Sequence, residues 1–193
     1  MKICVFGASS SELDGEYYEA AEELGYLIAE YGHTLVFGGS RNGLMGAVAR
    51  GAAAHGGKII GVMPREYNRP GITFQGCTEL ICTDTVAERK RIMQEQSDAF
   101  ITLPGGPGTL DEFFDTLAQR QLEKMYKPIA LLNTLDYYCA LELVLVNCAR
   151  KGFMGQHCLD MFVLCEHPED ALSYVIDAAG AGGTITSLFN YRK

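Results

Sequence analysis

Short runs rich in Val and Ile alternate along this chain with longer segments of helical period, and glycine-bearing turns follow several of the runs. That alternation admits few folds. A strand that is apolar on both sides has no face for water, so it belongs inside a covered sheet. The helices between the runs supply both the cover and the crossovers that parallel strands require. Strands are expected at 2–6, 34–37, 58–63, 78–82, 99–103, 128–132 and 160–165, most of them near the usual length of about five to six residues. Helices are expected at 16–31, 44–55, 86–96, 110–125, 137–150 and 168–178. The expected class is α/β, a doubly wound, mostly parallel sheet of about seven strands with helices on both faces. In the first helix Ala20, Leu24, Leu27 and Ile28 form one stripe, closed by Gly32. The alanine-rich second helix reads as close packing against the sheet.

The 193 residues suit one globular domain, here 1–179, and residues 180–193, with a glycine cluster and a basic end, read as a flexible tail. A net charge of −8 argues against a nucleic-acid partner, because phosphate neutralisation needs clustered cations. The apolar runs are far shorter than the roughly 20 residues of a membrane span. The N-terminus lacks the basic flank and long apolar stretch of a signal peptide, so a cytoplasmic location is expected. The seven cysteines include no C-x-x-C pair and read as reduced core thiols. The four histidines are scattered, which argues against zinc.

Ligands of open parallel sheets bind outside the carboxyl ends of the strands. Three glycine turns occupy such positions: Gly7-Ala8-Ser9-Ser10, Gly38 to Gly43, and Pro104-Gly105-Gly106-Pro107-Gly108-Thr109. None is a G-x-G-x-x-G fingerprint, and the second lacks the Lys-Ser/Thr of a nucleotide-triphosphate loop. The third turn reads as an anion site in preference to a strand-to-helix connection that merely needs flexible glycines, since three in four residues is costly in chain entropy for a mere turn. Absent side chains let backbone N–H groups approach a phosphate, and the positive end of the following helix faces the same point. Thr109 and Glu112 fit a capping box, yet a carboxylate one turn from an anion site also suits stabilisation of a developing sugar cation. Spacing alone favours the cap. Arg89, Lys90 and Arg91 crowd the start of a helix against its dipole; they read either as partners of an anion or as a solvated face with an Arg91–Glu95 pair and a Thr85–Glu88 cap. The polar stretch 65–76 reads as a flap or as an ordinary long loop.

With P-G-G-x-G-T-x-x-E present as Pro104 to Glu112, and Arg89-Lys90 followed by Met93, the sequence resembles the LOG (Lonely Guy) family. Its members are cytokinin riboside 5'-monophosphate phosphoribohydrolases, formerly labelled lysine decarboxylases. Gly38-Gly39, Gly43-Leu44-Met45-Gly46, Gly61 to Glu66, Lys127-Pro128-Ile129 and Gly152-Phe153 also match, so the resemblance covers nearly the whole chain. It implies a modified Rossmann sheet, a homodimer or larger homo-oligomer, no metal or other cofactor, and hydrolysis of the N-glycosidic bond of AMP or an N6-substituted adenosine 5'-monophosphate. It also implies Arg89 and Glu112 as the catalytic pair, Gly105, Gly106, Gly108 and Thr109 as the phosphate cradle, and Lys90 and Glu66 as further nucleotide-binding groups. A carrier or sensor that binds such a ligand without turnover is the alternative on the same scaffold. The chain departs from the family pattern at Ala8, Ser40, Ala87 and Glu123 and in the long 65–76 segment, features that bear on base preference. A decarboxylase would need a Schiff-base lysine in a pyridoxal phosphate site, for which no candidate is evident.

Overall fold

The computed structural model describes residues 1–181. Seven strands form one parallel sheet: β1 (Lys2–Phe6), β2 (Thr34–Phe37), β3 (Lys58–Pro64), β4 (Glu79–Thr83), β5 (Ala99–Thr102), β6 (Ile129–Leu132) and β7 (Val163–Cys165). Their spatial order is β4-β3-β2-β1-β5-β6-β7, with every neighbouring pair parallel. Six helices complete the alternation: α1 (Gly15–Glu30), α2 (Gly43–Ala54), α3 (Val86–Gln96), α4 (Pro107–Gln121), α5 (Cys139–Arg150) and α6 (Pro168–Gly180).

The two faces of the sheet make two cores, and the period of two along each strand assigns residues to them. Ile3, Val5, Leu35, Phe37, Ala99 and Ile101 point to the side covered by α1, α2 and α6. Cys4, Phe6, Val36 and Phe100 point to the other side, where Met93 of α3, Phe113 and Leu117 of α4 and Leu145 of α5 pack. Small residues hold α1 against α2, so the close approach expected between the alanine-rich helix and the sheet is made to its neighbouring helix instead: a Cβ at Gly25 would overlap the Val48 backbone, and one at Gly51 the Glu22 backbone. On α1 the buried stripe is Ala21, Leu24, Gly25 and Ile28, with Ala20 and Leu27 at its margin, and Gly32 ends the helix at a φ of 71°.

Several boundaries differ from expectation for local reasons. α4 begins three residues early, because Pro107 takes the first helical position, where its fixed φ is favourable and its missing N–H costs nothing. Residue 160 falls in a 3-10 turn (Gln156–Asp160), so β7 is only three residues long. Residues 137 and 138 lie before α5, after a turn in which Leu135 and Asp136 hold φ of 54° and 57°. All seven cysteines are free, but only Cys4, Cys158 and Cys165 are buried and Cys139 is exposed. α5 buries only Leu145 and Ala149, so it is an edge helix rather than a core one.

The 65–76 segment is neither a loose flap nor a plain surface loop. It opens as a 3-10 turn (Arg65–Tyr67) and forms the crossover between β3 and β4. Its far half is tied down: Thr73 is buried and bridges Ser40, Arg41 N–H donates to the Ile72 carbonyl, Phe74 N–H donates to Gly39, and the Phe74 ring meets Phe37 edge-on. No described helix is long and apolar enough to cross a membrane. The expected tail lies beyond the described residues apart from Gly180, which ends α6, and Ala181.

Candidate active site

The strand order reverses between β1 and β5, and a crevice opens where the chain leaves both at their carboxyl ends. The turn after β1 and the glycine turn after β5 are joined there, since Ala8 N–H donates to the Pro104 carbonyl. α2 docks on the same turn, with the Leu44 and Met45 amides donating to Ala8.

Two pockets share this crevice. The first, about 380 Å³, is lined by the β1 turn, by Gly106, Pro107, Gly108 and Thr109 of the β5 turn, and by Lys90, Asp111 and Glu112. The second, about 370 Å³, has Met63, Pro64, Tyr67 and Ile72 on its walls, with Ser40 and Asn42 as polar edges. Ser9, Met45, Val86 and Arg89 line both, so one cleft has a polar half and an apolar half with Arg89 between them.

The polar half meets the requirements of an anion site. Intrahelical bonding in α4 starts at Leu110, whose N–H donates to the Gly106 carbonyl. The amides of Gly106, Gly108 and Thr109 precede it, in the turn where a helix has no carbonyls of its own to offer. Gly106 and Gly108 have no positive φ, and a Cβ at either would meet no protein atom within 4 Å. Neither the backbone nor the packing demands glycine there; what the missing side chains keep clear is the cleft. Gly105 differs, being buried behind the wall, where a Cβ would overlap the Thr109 side chain.

Glu112 is not a cap. Gly106 is the N-cap residue of α4, which places Thr109 and Glu112 inside the helix. The Glu112 carboxylate instead accepts from Arg89 Nη1 at 2.5 Å, with side-chain exposures of 9% for the acid and 13% for the arginine. Arg89 Nε donates to the Val62 carbonyl at 3.1 Å. The guanidinium also lies against Gly38, where any Cβ would collide with it. Burial pushes the Glu112 carboxyl above the ordinary carboxylate range, and the Arg89 charge opposes that shift without cancelling it.

The other cations of α3 are matched as well. Lys90 Nζ lies 2.8 Å from Asp111 and 3.7 Å from Asp115, and Arg91 pairs with Glu95. Thr85 caps the helix by accepting the Glu88 N–H. Carboxylates thus offset the crowded charge, so the crowding by itself calls for no bound anion. Glu66 is exposed and lines neither half of the cleft. Sequence reasoning passed over Met45, Met63, Tyr67, Ile72 and Val86, which form the apolar half; their positions at strand exits and helix starts were the available signal. Among the described residues no cluster of three His, Cys, Asp or Glu could hold a metal ion.

Residues 45–175 match the family model described as "Possible lysine decarboxylase". The chain is 39% identical over 164 residues to the cytokinin riboside 5'-monophosphate phosphoribohydrolase of Mycobacterium tuberculosis, spanning 85% of this chain and 88% of that one. It is 40% identical over 155 residues to the enzyme of that name LOG7 from Arabidopsis thaliana, spanning 80% and 71%. A molybdenum cofactor binding protein from Rippkaea orientalis shares the fold, with a TM-score of 0.70 at 24% identity over 91% of this chain and 95% of that one. The decarboxylase description would call for pyridoxal phosphate on a lysine of depressed pKa. The cleft's Lys90 is instead held above the ordinary lysine range by Asp111, which does not fit that group. With a family match over most of its length and relatives at this level of identity, the chain belongs to the LOG family.

Proposed function

We propose that this protein is a nucleoside 5'-monophosphate phosphoribohydrolase, which cleaves AMP or an N6-substituted adenosine 5'-monophosphate to free base and ribose 5-phosphate. The observation that carries the proposal is the buried Arg89–Glu112 pair, set between an amide-rich half and an apolar half of one cleft. The names of the relatives agree with it.

In this reading the 5'-phosphate enters the polar half, against the Gly106, Gly108 and Thr109 amides with Lys90 at the rim, and the base lies among Met45, Met63, Tyr67 and Ile72. The ribose then spans the junction beside Glu112. The bond from C1' to the base nitrogen breaks with its electron pair leaving on the base, so positive charge spreads over C1' and the ring oxygen. A carboxylate facing that charge acts mainly on the transition state, because the ground-state sugar carries none. Water then adds to C1' and its proton is delivered to the departing base, giving adenine and ribose 5-phosphate. Arg89 orients Glu112 and offers its remaining N–H groups to phosphate or ribose oxygens.

Purified protein incubated with AMP is expected to release adenine and ribose 5-phosphate in equal amounts by chromatography. Thermal stabilisation by AMP with no adenine formed would replace this reading with that of a carrier or sensor. Comparison of AMP, isopentenyladenosine monophosphate, GMP and CMP in the same assay identifies the preferred base.

A further inference from the structure

We propose that Tyr137 is a positioning residue for the phosphate end of the cleft: its hydroxyl locks the Gly105–Gly106 peptide with the N–H turned toward the ligand. The inference rests on the nucleotide reading above. It begins with the carbonyls of the β5 turn, because an anion cradle built from amides is undone by any carbonyl that faces the anion.

The three carbonyls that lead into the cradle are each drawn away by a donor outside the turn. The Leu103 carbonyl accepts from Tyr138 OH at 2.7 Å, Pro104 from Ala8 N–H at 3.1 Å, and Gly105 from Tyr137 OH at 2.8 Å. A trans peptide sets its N–H opposite its C=O, and the described residues contain no cis bond. The bond to Tyr137 therefore turns the Gly106 N–H to the other side, where Gly106 lines the cleft. With glycine on both sides of it, this peptide has the least steric resistance to rotation of any in the turn. Rotation would exchange a donor for an acceptor at the anion.

The backbone that delivers Tyr137 is strained for the purpose. Leu135 and Asp136 are consecutive non-glycine residues in the left-handed region, a conformation that persists only when its surroundings enforce it. Here Asn133 enforces it: its carbonyl accepts from Asp136 N–H at 3.0 Å and its side-chain oxygen from Tyr138 N–H at 2.7 Å. The Tyr137 ring is held edge-on by Tyr17 of α1 and by Tyr138, with centroids 6.2 and 5.0 Å apart. Tyr138 provides an internal control. The peptide after Leu103 leads into Pro104, which has no N–H, so its orientation presents no donor to an anion.

The test compares Tyr137→Phe and Tyr138→Phe with the parent protein in ribose 5-phosphate binding, adenine binding, and kcat/KM for AMP against adenosine. Tyr137→Phe keeps the ring contacts. It should weaken ribose 5-phosphate binding by about three- to tenfold, the worth of one hydrogen bond, and lower the AMP-to-adenosine ratio by a similar factor, while adenine affinity and melting temperature hold. Tyr138→Phe should lower the melting temperature and leave the ratio unchanged. Unchanged ribose 5-phosphate affinity in Tyr137→Phe overturns the lock, as does equal weakening of ribose 5-phosphate and adenine, which marks a general structural role. Failure of the parent protein itself to bind ribose 5-phosphate removes the nucleotide reading and the lock with it.

Discussion

Arg89 and Lys90 are neighbours on α3, Asp111 and Glu112 are neighbours on α4, and each cation takes an acid; yet the two pairs sit in different surroundings. The Arg89–Glu112 pair is nearly closed to water, whereas in the outer pair Lys90 is 21% and Asp111 58% exposed. The inner acid is pushed toward its neutral form by burial; the outer acid remains in a solvent that screens it. Adjacency in sequence therefore says little about what a charge can do. Depth decides, and in the proposed reaction it is the inner, less screened carboxylate that acts on the cation forming beside it.

The sharpest way to break this contrast is Arg89→Met. It leaves the Glu112 carboxylate buried without its partner and should destabilise the fold by about 3–5 kcal/mol in denaturant titrations, with loss of turnover. Glu112→Gln comes next. It keeps the shape and should retain AMP binding by calorimetry, while turnover falls by about 10²–10³ or more; normal hydrolysis by this variant would remove the carboxylate from the mechanism.

Acidification separates two properties of the same group. Because the Glu112 pKa is raised in the folded protein, the native state takes up this proton at a higher pH than the unfolded chain does. Its contribution to stability therefore grows as pH falls from above the raised value toward 4.5 and shrinks as pH rises through the same window. Turnover runs the other way, since the protonated acid no longer faces a cation with charge. A pH–rate profile should show an acid limb above the ordinary carboxylate range, and melting curves of the parent minus Glu112→Gln should show the opposite trend. The smallest effect belongs to the outer pair. Asp111→Asn should shift stability by less than about 1 kcal/mol and leave turnover within a few-fold; a loss as deep as that of Glu112→Gln would erase the distinction between the pairs.

Much of this was legible in the residues. The covered parallel sheet, though not its strand order, follows from runs such as Ile3 to Phe6 and Ala99 to Thr102, which are apolar on both faces, and the β5 turn declared its chemistry through its glycines, of which Gly106 and Gly108 have no packing reason to be there. The cap assigned to Glu112 was a different matter. T-x-x-E is the same four letters whether a helix starts at Leu110 or three residues before it, and only the weight of Pro107 at the first position moves the start and frees the acid. Glu66 was placed in the site by resemblance, but in the 3-10 turn after β3 it is exposed and lines neither half of the cleft, while its neighbour Tyr67 lines the apolar half. The left-handed pair Leu135-Asp136 left no mark, because no glycine or asparagine occupies either position. The apolar half was hidden for a further reason: its walls come from β3, α2, α3 and the 65–76 crossover, and no local pattern joins segments so far apart.

The anchoring of that crossover has an evolutionary consequence. Its return half is stitched to the exit of β2, and Tyr67 lines only the apolar half of the cleft. Asn68 and Arg69 belong to that stitching through Thr73 and Ile72, so change is best tolerated at the exposed tip, Pro70 and Gly71, away from the strand register and from the glycine turn on the far side of Arg89. On the phosphoribohydrolase reading proposed above, selectivity for the leaving group can thus drift while the bond-breaking residues stay fixed, which makes this segment the natural place to graft when a new base is to be accepted.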